Sequence, residues 1–126
     1  MVLFALIVVL TLLATLTAFQ IALASGAPWG RFAWGGAHPR VLPRRLRISS
    51  AVSVVLYVGF AALLLSRVGV LPGSDSGLIV VFTWILFAYF VVGIGLNAIS
   101  RSRPERWTMT PVCVIMALMT LVIALS

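Results

Sequence analysis

Four blocks of almost unbroken apolar residues alternate with short polar segments along the chain. The first block runs from Met1 to Ala24 and carries no ionisable side chain. As a helix it is about 36 Å long at 1.5 Å per residue, enough to cross a bilayer with some tilt. The second spans about Ile48 to Leu71, with Arg67 near its end. The third covers Leu78 to Ile99, introduced by "GSDSG", in which Ser74, Asp75 or Ser76 is placed to cap a helix. The fourth begins near Trp107 and ends at Leu125, about 28 Å of helix and barely the hydrocarbon thickness. The pattern predicts an all-α integral membrane four-helix bundle, one transmembrane domain over residues 1–126, with spans at about 1–24, 48–71, 78–99 and 107–125.

Four spans put the loops 25–47 and 100–106 on one side. Arg31, Arg40, Arg44, Arg45 and Arg47 lie in the first loop, and Arg101, Arg103 and Arg106 in the second. The positive-inside rule makes that side cytoplasmic and sends both termini to the non-cytoplasmic side. One competing expectation is cleavage after "ALA" at Ala22–Ala24, which resembles a signal-peptidase site. Against it, no basic residue precedes the block, and the block exceeds the usual 7–15 residues.

Composition sharpens this picture. Hydrophobic residues make up 63% and charged residues 9% of the chain, with a mean hydropathy of +1.22. A soluble domain carries about 25% charged residues, so too little polar surface remains to cover a globule in water. The net charge of +7 attracts phosphate in general, but every basic residue is an arginine lying between or beside apolar blocks. That arrangement argues for topology and against nucleic acid.

The first loop is richer than anchoring needs. Trp29 and Trp34 stand among glycines in "GAPWGRFAWGG", a composition that disfavours helix and suits the headgroup layer. In "LPRRLRI", Leu42 and Leu46 can face acyl chains while Arg44, Arg45 and Arg47 reach phosphates. Trp29, Arg31, Trp34, Arg40, Arg44, Arg45, Arg47, Arg101, Arg103, Arg106 and Trp107 are therefore the expected interfacial residues, with anionic lipid as one expected partner.

Classical chemistry is thin. His38 has no neighbouring Cys, Asp or Glu to build a metal site, and the only carboxylates are Asp75 and Glu105. "SRPE" at Ser102–Glu105 reads as a capping box, with Glu105 reaching back to the backbone or pairing with Arg101 or Arg106. The fourth helix then starts in the interface and bends near Pro111; alternatively Thr110 caps it and Pro111 opens it. Cys113 reads as a small packing residue. No metal, no cofactor and no enzymatic activity are expected. The spans also lack the intramembrane acid on which proton-driven exporters depend.

What polarity the spans hold suits packing or a pocket. Ala14, Ala18 and Ala22 recur every four residues, a spacing that lets helices approach closely in lipid. Tyr89, Gly93 and Asn97 fall on one stripe of the third span, either a helix contact or the wall of a small cavity. Gln20, Ser49, Ser53 and Tyr57 lie at depths from which they can meet Asn97 in a polar pocket. The loop "SGAPWGRFAWGGAHPRVLPRRLR" with "SRSRPERW" resembles small four-span bacterial membrane proteins, which implies a bacterial plasma (inner) membrane and carries no activity with it. Two functions follow as expectations. One is an accessory, assembly or stabilising subunit working with other membrane subunits or as a homo-oligomer. The other is a unit that binds or transports lipid or a small apolar solute, with Gln20, Tyr57, Tyr89 and Asn97 lining its cavity.

Overall fold

A computed structural model describes all residues, 1–126. It contains four α-helices and no strand: α1 (Val2–Ala24), α2 (Arg44–Val68), α3 (Gly77–Ala98) and α4 (Arg103–Ala124). Each is long and apolar enough to cross a membrane, and the protein is a multi-pass membrane bundle. Large apolar side chains such as Leu3, Val55, Val58, Val92 and Leu96 stand on its outer surface. In water that surface would be untenable; against acyl chains it is solvated.

The helices form a ring in which each is antiparallel to its sequence neighbours and α1 closes against α4. Contact is most extensive between α3 and α4 and between α1 and α2, and thinnest around the ring between α2 and α3. The core is built from Leu6, Val9 and Leu13 of α1, Leu64 of α2, Leu86 and Phe90 of α3, and Met116 and Ile123 of α4. The buried stripe of α1 thus passes through Ala5, Val9, Leu13, Gln20 and Leu23. Ala14 and Ala18 lie on the opposite, exposed face. The expected small-residue contact is not made within this chain, because the larger aliphatic stripe buries more area.

Helix limits differ from the apolar blocks in a consistent direction. α2 begins at Arg44, four residues before Ile48, and ends at Val68, where Gly69 adopts φ +97° and stops it. α4 begins at Arg103, before Trp107, with Ser102 as its N-cap accepting from the Glu105 N–H. Pro104 sits in the first turn, where a missing N–H costs nothing. Pro111 lies inside one continuous helix, so the alternative start at Thr110 is overturned. Ser76 occupies the N-cap of α3, but its side chain makes no capping bond.

Eight arginines lie at one end of the bundle. At the other, Arg67 donates from Nη2 to the carbonyl of Ser126 at 2.6 Å.

Candidate cavity beneath the arginine loop

The segment between α1 and α2 folds back over the bundle end. Its two limbs pair: Gly30 N–H donates to the Arg40 carbonyl (2.8 Å) and Arg31 N–H to the Pro39 carbonyl (3.1 Å). Glycine is required at position 30, since a Cβ there would collide with the backbone carbonyls of His38 and Arg40. At the base, Arg47 Nε donates to the Ala24 carbonyl at 3.0 Å, joining the end of α1 to the start of α2. Leu23, Ala33 and Leu42 form a small buried cluster under the loop.

Three contacts hold the loop down, one on α2 and two at the start of α4. Trp34 Nε1–H donates to Ser50 Oγ of α2 at 3.2 Å. The Ser102 hydroxyl at the start of α4 donates to the Arg31 carbonyl. Gly35 N–H points at Glu105 Oε1 of α4 at 3.4 Å. To make these contacts Trp34, Gly35 and Gly36 all take positive φ, of 52°, 74° and 72°. A tryptophan in this region is uncommon and is held there by its surroundings.

Glu105 is the pin of this arrangement. It is 7% exposed, and its second oxygen accepts from Ser100 Oγ at 2.5 Å. The expected ion pair is absent: Arg106 donates to the Ser100 carbonyl instead. The capping box is half formed. Ser102 caps as expected, but the carboxylate turns away from the Ser102 N–H, which finds Ser100 Oγ.

Beneath Phe32, Ala33, Trp34 and Gly35 lies a cavity of about 480 Å³, within the range of roughly 300–1,000 Å³ typical of small-molecule sites. Its walls combine Leu16, Phe19 and Gln20 of α1, Ser53 and Tyr57 of α2, Tyr89 to Asn97 of α3, and Glu105 to Met116 of α4. From Asn97 to Phe90 along α3, it reaches about 10 Å into the bundle. Phe60 packs against both Tyr89 (centroids 5.2 Å apart) and Phe90 (6.1 Å), closing the α2–α3 seam below it. Tyr89 also borders a shallow apolar groove on the outer face of that seam, with Phe60, Leu63, Phe82 and Ile85.

Of the polar or small residues singled out on the spans, Gln20, Ser53, Tyr57, Tyr89, Gly93 and Asn97 line this one cavity, while Ala14, Ala18 and Ala22 do not. Gln20 Nε2 lies 3.5 Å from the Tyr57 hydroxyl. Asn97 donates to the Gly93 carbonyl (2.8 Å) and to Cys113 Sγ (3.3 Å), so its stripe serves as helix contact and cavity wall together. Ser49 stays outside, bonded to the Arg45 carbonyl of its own helix.

The expected interfacial residues divide. Arg40, Arg44, Arg45, Arg101, Arg103 and Trp107 are exposed around the end. Trp29 is exposed and stacks on Phe19 with rings 3° from parallel. The Arg31 guanidinium sits 5.0 Å over the Phe32 ring. Arg47, Arg106 and Trp34 are committed to holding the loops. Sequence reasoning missed Phe32, Glu105, Met109 and Cys113 as cavity residues. The available signal was that Glu105 is the only carboxylate at an end crowded with arginine. Comparison with protein-family models, curated proteins and solved structures finds no match to this chain.

Proposed function

We propose that the protein is a membrane-embedded binding unit for a small amphiphile or apolar solute, held in the cavity beneath the arginine loop. The observation that carries this reading is the convergence of Gln20, Tyr57, Tyr89 and Asn97, from three helices, on one 480 Å³ cavity with a folded roof. A bundle meant only to pack would fill that volume, because an empty space of this size forfeits dispersion contacts on every wall. Val92 and Leu96 of α3 line the cavity yet stand exposed on the outer surface, so it opens laterally toward the acyl chains. The exposed arginines around the rim suit the phosphates of an anionic leaflet, in a bacterial plasma membrane with this end cytoplasmic.

The test fills the cavity. Ser53 lines it from α2, and its hydroxyl bonds only to its own helix, at the Ser49 carbonyl. Ser53→Phe should leave the bundle folded and abolish saturable binding of a brominated alkyl probe, read as quenching of Trp34. Equal saturable quenching in both proteins would refute the reading.

A second reading, an accessory or stabilising subunit, draws on the outward face of α1. Thr11, Ala14, Thr15 and Ala18 are exposed together, the threonine hydroxyls bonded only within α1, and such a small-residue face suits a helix from another subunit or copy. Crosslinking from position 14 in intact membranes tests it; capture of lipid alone would remove it.

A further inference from the structure

The cavity is uneven in its polar chemistry. Asn97 uses its amide N–H groups on the Gly93 carbonyl and Cys113. The Gly93 carbonyl can only accept, which fixes the orientation of that amide and leaves the Asn97 carbonyl oxygen without a donor. The Glu105 carboxylate, acceptor only, stands in the same wall. Gln20, 9% exposed, has no partner for Oε1. Turning its amide over would let Tyr57 donate but leave the –NH2 in need of an acceptor, so Gln20 does not set the sign of the site. The Ser53 hydroxyl is spent on its own helix. Eight arginines surround this end, yet none lines the cavity, whose walls and roof include the aromatic faces of Phe32, Trp34, Tyr57 and Tyr89.

Tyr57, which accepts from Gln20, and Tyr89 add O–H donors to the same walls, so a ligand that completes this site both donates and accepts, as a hydroxyl does, and carries no negative charge toward Glu105. A carboxylate or phosphate head would face the Glu105 charge and the Asn97 oxygen with no guanidinium to offset them. A hydroxyl or ammonium head supplies the missing O–H or N–H, and an ammonium also gains from the aromatic faces. We infer that the cavity selects an amphiphile with a hydrogen-bond-donating head and no negative charge, an aliphatic alcohol or amine, while anionic headgroups are confined to the arginine rim outside. This rests on the reading of the cavity as a binding site.

The test uses the full chain in phosphatidylcholine nanodiscs with Trp34 as sole fluorophore (Trp29→Phe, Trp84→Phe, Trp107→Phe). The probes are 10-bromodecanol, 10-bromodecylamine and 10-bromodecanoate at neutral pH, with Ser53→Phe as the blank. The alcohol and amine should quench at about tenfold lower concentration than the carboxylate, the ratio expected from one hydrogen bond to a cavity acceptor. In Glu105→Gln, which keeps the shape and removes the charge, the amine's advantage over the carboxylate should shrink to about threefold. Amine and alcohol binding equally would assign the selection to hydrogen bonding; an amine preference lost in Glu105→Gln would assign it to charge. Carboxylate binding as tight as the alcohol overturns the selectivity and leaves the cavity reading standing. No quenching beyond the Ser53→Phe blank for any probe overturns both.

Discussion

Replacing Glu105 with alanine should unfasten the roof. In the closed arrangement Ser100 is 7% exposed and its hydroxyl has the Glu105 carboxylate as acceptor at 2.5 Å. Without that carboxylate the hydroxyl is stranded while the roof stays down, at a cost of about 1–3 kcal/mol. Gly35 N–H loses its 3.4 Å acceptor as well, a long contact worth about 0.5 kcal/mol. Together these amount to about 1.5–3.5 kcal/mol, a shift of about 10- to 400-fold in the ratio of lifted to docked loop. Glutamine keeps an acceptor for Gly35 and an amide N–H2 toward Ser100, whose hydroxyl rotates to accept, so Glu105→Gln should cost under about 1 kcal/mol. The assay is thiol modification by a water-soluble reagent in a Cys113→Ala background. Ala33→Cys reports on the underside of the loop, because Ala33 is buried with Leu23 and Leu42. Ala37→Cys, on the exposed tip, serves as reference. Labelling at position 33 should accelerate about 10- to 400-fold with Glu105→Ala and less than about fivefold with Glu105→Gln, while position 37 keeps its rate. An unchanged rate at position 33 in the alanine variant would refute the role given to the carboxylate.

Two further outcomes follow from the geometry. Gly35 and Gly36 share positive φ, but a Cβ at Gly35 meets nothing within 4 Å whereas one at Gly36 runs into Ser102. Gly35→Ala should therefore cost only the left-handed penalty of about 1–2 kcal/mol, and Gly36→Ala should in addition break the Ser102–Arg31 contact, giving the faster labelling at position 33. Thr120 is fully buried in α4 with its hydroxyl unpartnered, so Thr120→Val should raise thermal stability by about 1 kcal/mol, measured by unfolding in detergent, with probe binding unaltered.

The bundle was legible because lipid-facing helices declare themselves by length and by lack of charge, and the loops by arginine. The packing face of α1 was not. In a helix apolar on every side, as α1 is, periodicity cannot say which stripe turns inward, and the small residues at Ala14 and Ala18 face out of this bundle. The cavity was half legible: Gln20, Tyr57, Tyr89 and Asn97 stand out because polar groups are rare at that depth. Glu105 was read from its local pattern as a capping residue. Its acceptor role toward Gly35 joins positions 70 apart in sequence, and no local rule encodes such a contact. The same holds for Trp34, whose ring stays exposed at the arginine-rich end while its indole N–H bonds Ser50 of α2.

The Arg47–Ala24 contact carries a consequence for biogenesis. Chains emerge from the ribosome N-terminus first, so α1, the roof and α2 exist before Ser102 and Glu105 have been made. Until then the roof has nothing on α4 to grip, and the clasp between the two helix ends keeps the first hairpin together through membrane insertion. The fourth helix brings both a wall of the chamber and the fastening of its cover, so the roof is pinned only after α4 has joined the first hairpin.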